Sequence, residues 1–189
     1  MRVIAGTCRS IPLKTVEGSA TRPTTDRIKE TLFNIIQNDI VDCRFLDLYA
    51  GSGQIAIEAL SRGAKHAIMV EHDKKCAQAI RDNLHKTKLE EKATLMEREL
   101  PAALKLLTSE GPFDLVFMDP PYDLHPEEEV LKELKENNLL TPESLVIIEA
   151  AKDRDCDFIE GSGFELVRTK VYKNNMHLFL RPVVEGSAS

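Results

Sequence analysis

The sequence lacks any paired-cysteine signature. Its four cysteines, Cys8, Cys43, Cys76 and Cys156, are scattered without a CxxC pair. That spacing argues against a disulfide framework or a zinc site and fits a reducing cytoplasm. His66, His72, His85, His125 and His177 also lack ligand spacing, so no metal is expected. Although 42% of the residues are hydrophobic, no apolar run approaches membrane-spanning length. Met1 through Gly6 has neither the long apolar core nor the cleavage site of a signal peptide. An excess of cations is missing too, since the net charge is −6. The distribution is nonetheless uneven. Arg2, Arg9, Lys14, Arg22, Arg27 and Lys29 stand against only Glu17 and Asp26 in the first 29 residues. A basic arm on an acidic body can bind phosphate locally.

What is present reads as an α/β chain of 189 residues, long enough for one sizeable core and a small appendage. Residues 1–40 read as an N-terminal extension, 41–183 as the main domain and 184–189 as a frayed tail. In the extension, Val3-Ile4-Ala5 and Ile11-Pro12-Leu13 read as a hairpin, followed by a loop at Gly18-Ser19-Ala20. A helix follows, capped by Thr24 or Thr25, with an apolar stripe of Ile28, Leu32, Ile35 and Ile36. Arg27, Lys29, Glu30 and Asn34 are assigned to its opposite face. From Phe45 the pattern alternates. Strands are expected at 45–50, 66–71, 93–96, 113–118 and 145–150, and helices at 54–62, 73–86, 101–107 and 127–137. Such alternation implies a doubly wound, mostly parallel Rossmann-like sheet. Runs at 164–171 and 176–180 around Tyr172-Lys173-Asn174-Asn175 add an antiparallel C-terminal hairpin.

Two stretches carry chemistry. Asp119-Pro120-Pro121-Tyr122 follows the apolar run Phe113–Met118. Its prolines stop the strand and stiffen the chain. A carboxylate, free carbonyls and an aromatic ring are thus held at a strand's C-terminal edge, where open α/β sheets place ligands. Asp119 and the Pro120 carbonyl can accept hydrogen bonds from a planar NH2 group, and Tyr122 can stack on its ring. The second stretch runs from Asp47 through Ala50-Gly51-Ser52-Gly53 into a helix, with glycines that allow close approach of a ligand. Glu71 ends the next strand, where a carboxylate can accept from ribose hydroxyls. Glu99-Leu100, after the third strand, is a candidate contact for an adenine ring. These features fit a dinucleotide or S-adenosylmethionine. The acceptor turn, which needs an electrophile for an amine, and the C-terminal hairpin favour S-adenosylmethionine.

These residues carry a resemblance. The chain resembles the bacterial 16S rRNA guanine-N2 methyltransferases of the RsmD family over nearly its full length. The likeness rests on Met1 through Gly6, on Arg22-Pro23-Thr24-Thr25-Asp26-Arg27 with Glu30 through Asn34, and on Asp47 through Gly53. It extends to Glu58 through Gly63, Glu71, and Asp119 through Tyr122. It implies a class I fold and methyl transfer to an exocyclic guanine amine of a small-subunit hairpin loop. Ala50–Gly53 would hold the methionine end of the cofactor, Glu71 its ribose, and Asp119–Tyr122 the guanine. Arg2, Arg9, Lys14, Arg22 and Arg27 would position 16S rRNA, in the small subunit or an assembly intermediate, for a monomeric enzyme. Family members often show Asp-Ala or Asn-Ala where this chain has Glu99-Leu100. Other readings are a methyltransferase for DNA adenine or cytosine or protein glutamine, an NAD-linked oxidoreductase, and a non-catalytic RNA-binding module.

Overall fold

The computed structural model of the chain describes residues 1–17 and 24–186. The loop expected at Gly18-Ser19-Ala20, the Arg22 site and the tail's last residues lie outside that range. The sheet has seven strands: β1 (Arg44–Leu48), β2 (His66–Val70), β3 (Ala93–Met96), β4 (Phe113–Met118), β5 (Leu140–Ala151), β6 (Phe164–Val171) and β7 (Asn175–Pro182). Their order is β3-β2-β1-β4-β5-β7-β6. The first five pair in parallel, and β7 is antiparallel to both β5 and β6. This is the expected doubly wound sheet with its antiparallel hairpin.

Helices cover both faces. α1 (Asp26–Ile35), α2 (Gln37–Ile40), α3 (Gln54–Ser61) and α4 (Lys74–Thr87) share a core with Phe45, Met69, Leu115, Phe117 and Ile147. On the other face, α5 (Glu127–Glu136) and the 3-10 turn Ala102–Leu107 pack on Leu46, Leu48, Val116, Met118 and Ile148. Successive strand residues point to opposite faces, so each central strand is apolar on both sides, as a covered parallel sheet requires. No helix among the described residues is long and apolar enough to cross a membrane.

Several boundaries differ from the sequence reading, each for a physical reason. β1 stops at Leu48, because Tyr49 turns to a φ of 61° and opens the loop. The turn at 102–107 is 3-10 rather than α-helical. β5 begins at Leu140, five residues before the expected start, with an irregularity in its pairing to β4 between Phe113 and Leu115. α1 is capped by Thr25, whose hydroxyl accepts from Ile28 N at 3.3 Å.

The N-terminal arm departs most. In place of two strands there is one isolated bridge, Arg2 to Pro12. Val3 N donates to the Ile11 carbonyl, Ser10 N to the Val3 carbonyl and Leu13 N to the Met1 carbonyl, too few bonds for two strands. The amides of Ile4 and Ala5, which a hairpin would have paired, donate to the Glu58 carboxylate at 2.9 and 3.1 Å. Gly6 then passes so close to α3 that a Cβ there would fall 1.9 Å from the Ser61 carbonyl oxygen. Val3, Cys8 and Leu13 complete the arm's anchorage in the core.

Lys29 is the second departure. It lies on the buried side of α1, with 0% exposure, beside Leu32, Phe33 and Ile36. Its ammonium donates to the Arg2 carbonyl at 2.6 Å and lies 3.7 Å from Glu58. Burial lowers its pKa, and the Glu58 charge opposes that shift.

Candidate active site

The site lies along the C-terminal edge of β1, β2, β4 and β5. The loop after β1 is shaped by positive φ at Tyr49, Gly51 and Gly53. Gly53 caps α3 from a φ of 78°, with Met69 and Ile80 close behind its Cα, so a larger residue would be strained and crowded. Glu71 follows β2. Its Oε2 accepts from Gly51 N at 2.9 Å and its Oε1 from Asp73 N at 2.8 Å. A carboxylate has about four acceptor positions, so Glu71 braces the loop and keeps capacity for further donors. Asp47 accepts from Ala56 N at 3.2 Å and so ties β1 to the first turn of α3.

Asn83, on α4, was missed by sequence reasoning, because only its side-chain geometry reveals its role. Its amide donates to the Ser52 carbonyl at 2.9 Å and to the Lys14 carbonyl at 3.0 Å, and its oxygen accepts from Lys14 N. One side chain thereby clamps the glycine loop to the arm.

Asp119 and Pro120 leave β4 next to this loop. Asp119, Asp47, Ala50, Gly51 and Ser52 line one cavity, together with Met1 and Thr24. The structure therefore brings Asp119, the glycine loop and the arm to one cavity, whereas Pro120, Pro121 and Tyr122 line a neighbouring narrow cleft. Tyr49 stands between that cavity and a larger cleft of about 620 Å³, lined by His72, Glu99, Leu100, Pro121, Leu124 and Glu128. That volume falls within the range of small-molecule sites. Glu99 and Leu100 are thus across Tyr49 from Asp119, and Gly53 and Glu71 sit behind the loop as its supports.

The electrostatics are unusual. Asp47 and Glu149 are buried at 1% and 4% exposure, and Asp119 is half-buried beside them. Burial pushes Asp47 up to about 8, against the Ala56 N–H, and the Glu71 charge adds to the rise. Burial also holds Asp119 well above the ordinary carboxyl range, with the charges of Glu149 and Asp47 contributing. Glu149 is opposite His177 in the β5–β7 pairing. Its carboxylate accepts from His177 Nε2 at 3.1 Å, from Asn175 Nδ2 at 2.9 Å and from Thr24 Oγ1 at 3.4 Å. Tyr172 OH lies 3.4 Å from His177 Nδ1. None of these partners was singled out in the sequence, where a histidine and a glutamate 28 residues apart give no local signal. Tyr122 keeps 47% exposure.

Of the arm's described cations, Arg2, Arg9, Lys14 and Arg27 are on the surface and Lys29 is buried. Arg2 pairs with Asp26 at 3.3 Å and Lys14 with Asp82 at 2.8 Å, whereas Arg9 and Arg27 are exposed. Exposed pairs of this kind are worth about 0–1 kcal/mol, so they compete weakly with any phosphate.

The family described as conserved hypothetical protein 95 matches residues 1–181. YlbH of Bacillus subtilis (strain 168) is 40% identical over 174 residues, covering 90% of this chain and 91% of that protein. Ribosomal RNA small subunit methyltransferase D of Haemophilus influenzae is 39% identical over 155 residues, 82% of this chain and 80% of its own. The solved structure of yhhF from Escherichia coli has a TM-score of 0.83 at 33% identity, covering 98% of this chain and 99% of that one. The fold is that of a Rossmann-like class I methyltransferase. Within that class, the chain belongs to the RsmD family of rRNA methyltransferases.

Proposed function

We propose that the protein transfers a methyl group from S-adenosylmethionine to the exocyclic N2 amine of a guanine in a 16S rRNA hairpin loop. The observation that carries this reading is the meeting of Asp119 with the Ala50–Ser52 loop around one cavity, with Pro120 next in the chain. It places acceptors for an amine beside a glycine loop suited to a small charged ligand. The names of the relatives support rRNA as the substrate class.

The cofactor fits the residues present. Ala50, Gly51 and Ser52 would hold its methionine end, the braced Glu71 its ribose, and the cleft of about 620 Å³ with Glu99 and Leu100 its adenine. Gly53 and Asp47 keep that loop in shape. When bound, it supplies an electrophilic methyl group.

The chain's own residues do the rest. A guanine leaves its stack to reach the turn, and a loop nucleotide does so at least cost. Tyr122 stacks on it. Asp119 and the Pro120 carbonyl accept the two amine hydrogens and draw the nitrogen lone pair out of conjugation. The amine proton leaves after transfer, so no strong general base is needed, and most of the rate comes from positioning in a dry site. Arg2, Arg9, Lys14, Arg22 and Arg27 hold the RNA by its phosphates. The enzyme acts as a cytoplasmic monomer on the small subunit or an assembly intermediate. The test is transfer of label from S-adenosylmethionine to naked 16S rRNA and to small subunits lacking the mark. Label on neither, with cofactor still bound, would redirect the search to DNA and protein amines.

A further inference from the structure

Glu127 opens α5 and is only 4% exposed. Its Oε1 lies 3.4 Å from Arg154 Nε. Its Oε2 is fully enclosed and has no hydrogen-bond partner among the described residues; the other such side-chain atom is Arg44 Nε, on β1. An acid in the first turn of a helix is favoured by the helix field. That preference requires the charge to be near the helix start. It does not require an oxygen to be shut away from both water and donors. A buried acceptor left unmade costs about 1–3 kcal/mol, so its retention points to a partner that arrives.

The surroundings identify the partner. Glu127 and Arg154 line a narrow cleft with Pro120, Pro121, Tyr122 and Glu149, directly beside the amine acceptors. Arg154 is held there by Asp155 at 3.2 Å and lies over the Phe158 ring at 5.2 Å. Arginine only donates and an ionised carboxylate only accepts. A donor and an acceptor thus sit next to each other, next to a second acceptor at Pro120. The Watson–Crick edge of guanine presents the matching order, an O6 acceptor, an N1–H donor and then the N2 amine. Adenine and cytosine each carry a bare ring nitrogen beside their amine. That lone pair would face the carboxylate and be repelled.

We propose that the cleft widens as the base enters, so that Glu127 accepts from N1–H and Arg154 donates to O6 of the target guanine, which makes this cleft the determinant of base choice. The proposal rests on the reading of Asp119–Tyr122 as the guanine-amine site and names the residues that give it specificity. Sequence reasoning placed Glu127 only as the start of a helix.

The test uses 16S rRNA assembled by ligation, with either guanine or 2,6-diaminopurine at the position that the wild-type enzyme labels. It is presented in the form, naked or in small subunits, that accepts the label. Diaminopurine keeps the N2 amine but has a bare N1 and a donor at C6. Wild type should favour guanine in kcat/KM by about a hundredfold, in line with a bidentate base contact. Glu127→Gln, whose amide can also donate, should lose activity on guanine and narrow the ratio to within about tenfold. Its affinity for S-adenosylmethionine should be unchanged, which reports that it folds. A wild-type enzyme that treats both bases alike would overturn the proposal, as would a folded Glu127→Gln that keeps the wild-type ratio. The wild-type ratio alone decides the matter if the variant does not fold. If no guanine N2 is labelled in any form, the underlying reading fails and the inference goes with it. If guanine is labelled but the ratio is flat, only the inference falls.

Discussion

Lys29 Nζ stands 3.7 Å from Glu58 Oε2, and neither side chain is exposed. Around this pair the arm, α1 and α3 become one unit. Glu58 also accepts from Ile4 N, Ala5 N and Arg62 Nε, and Lys29 also donates to the Arg2 carbonyl. Removing Glu58 strands more groups than removing Lys29. Glu58→Leu should therefore cost about 3–5 kcal/mol, as expected for leaving a buried charge without its partner. Lys29→Met, which leaves Glu58 with three donors, should cost clearly less. Urea denaturation midpoints of the two variants would check the order, and equal losses would mean the network is not centred on Glu58.

The buried Asp47 makes stability depend on pH. Its folded pKa is raised to about 8, against roughly 3.9 in an unfolded chain. Below about pH 4 both states hold the proton and the group is neutral in its effect. As pH rises towards 8 the unfolded state ionises first, so stability falls, by at most ~1.4 kcal/mol per pH unit. Asp47→Asn keeps an acceptor for Ala56 N and removes the titration. The variant should show a flatter stability profile between about pH 4 and 8. Parallel profiles for wild type and variant would contradict this assignment.

After burial, the Glu149 charge is the largest cause that raises Asp119. The amine acceptor works best when ionised, so kcat/KM should rise with pH through the Asp119 titration. Glu149→Gln removes one neighbouring charge and should move that acid limb to lower pH. A limb that stays put, or moves up, would show that Glu149 does not act on Asp119.

Tyr122 is 47% exposed in the free protein. A stacking role predicts that Tyr122→Ala loses roughly 1–3 kcal/mol of transition-state binding, about 5- to 150-fold in kcat/KM. Tyr122→Phe should retain most of the activity. If Phe and Ala were equally damaging, the hydroxyl rather than the ring would be the important part.

Much of the fold and part of the site were legible in the sequence. The strand–helix alternation from Phe45 onward follows from local apolar periodicity, and the prolines and glycines of the two motifs mark turns by their own stereochemistry. What escaped depends on distant partners. Lys29 was assigned to water because a charge in an amphipathic helix normally faces it. Glu58, on α3, and the Arg2 carbonyl together offset the cost of its burial. The Ile4 and Ala5 amides left their expected hairpin for the same carboxylate. Glu127 and Arg154, and Glu149 with His177, are each pairs from distant parts of the chain, the second meeting across the β5–β7 pairing, so neither member carries a signal by itself. Candidate site residues of the sequence reading fall in separate spaces. Asp119, Ala50, Gly51 and Ser52 share a cavity, whereas Glu99 and Leu100 line the cleft on the far side of Tyr49.

The most direct test compares wild type with Asp119→Ala. After incubation with labelled S-adenosylmethionine and unmodified small subunits or naked 16S rRNA, nucleosides would be resolved by mass spectrometry. The account predicts N2-methylguanosine with wild type, none with Asp119→Ala, and cofactor affinity in the variant within a few-fold of wild type. A label on another base or another guanine atom would contradict it, as would an Asp119→Ala enzyme that still transfers methyl groups at the wild-type rate.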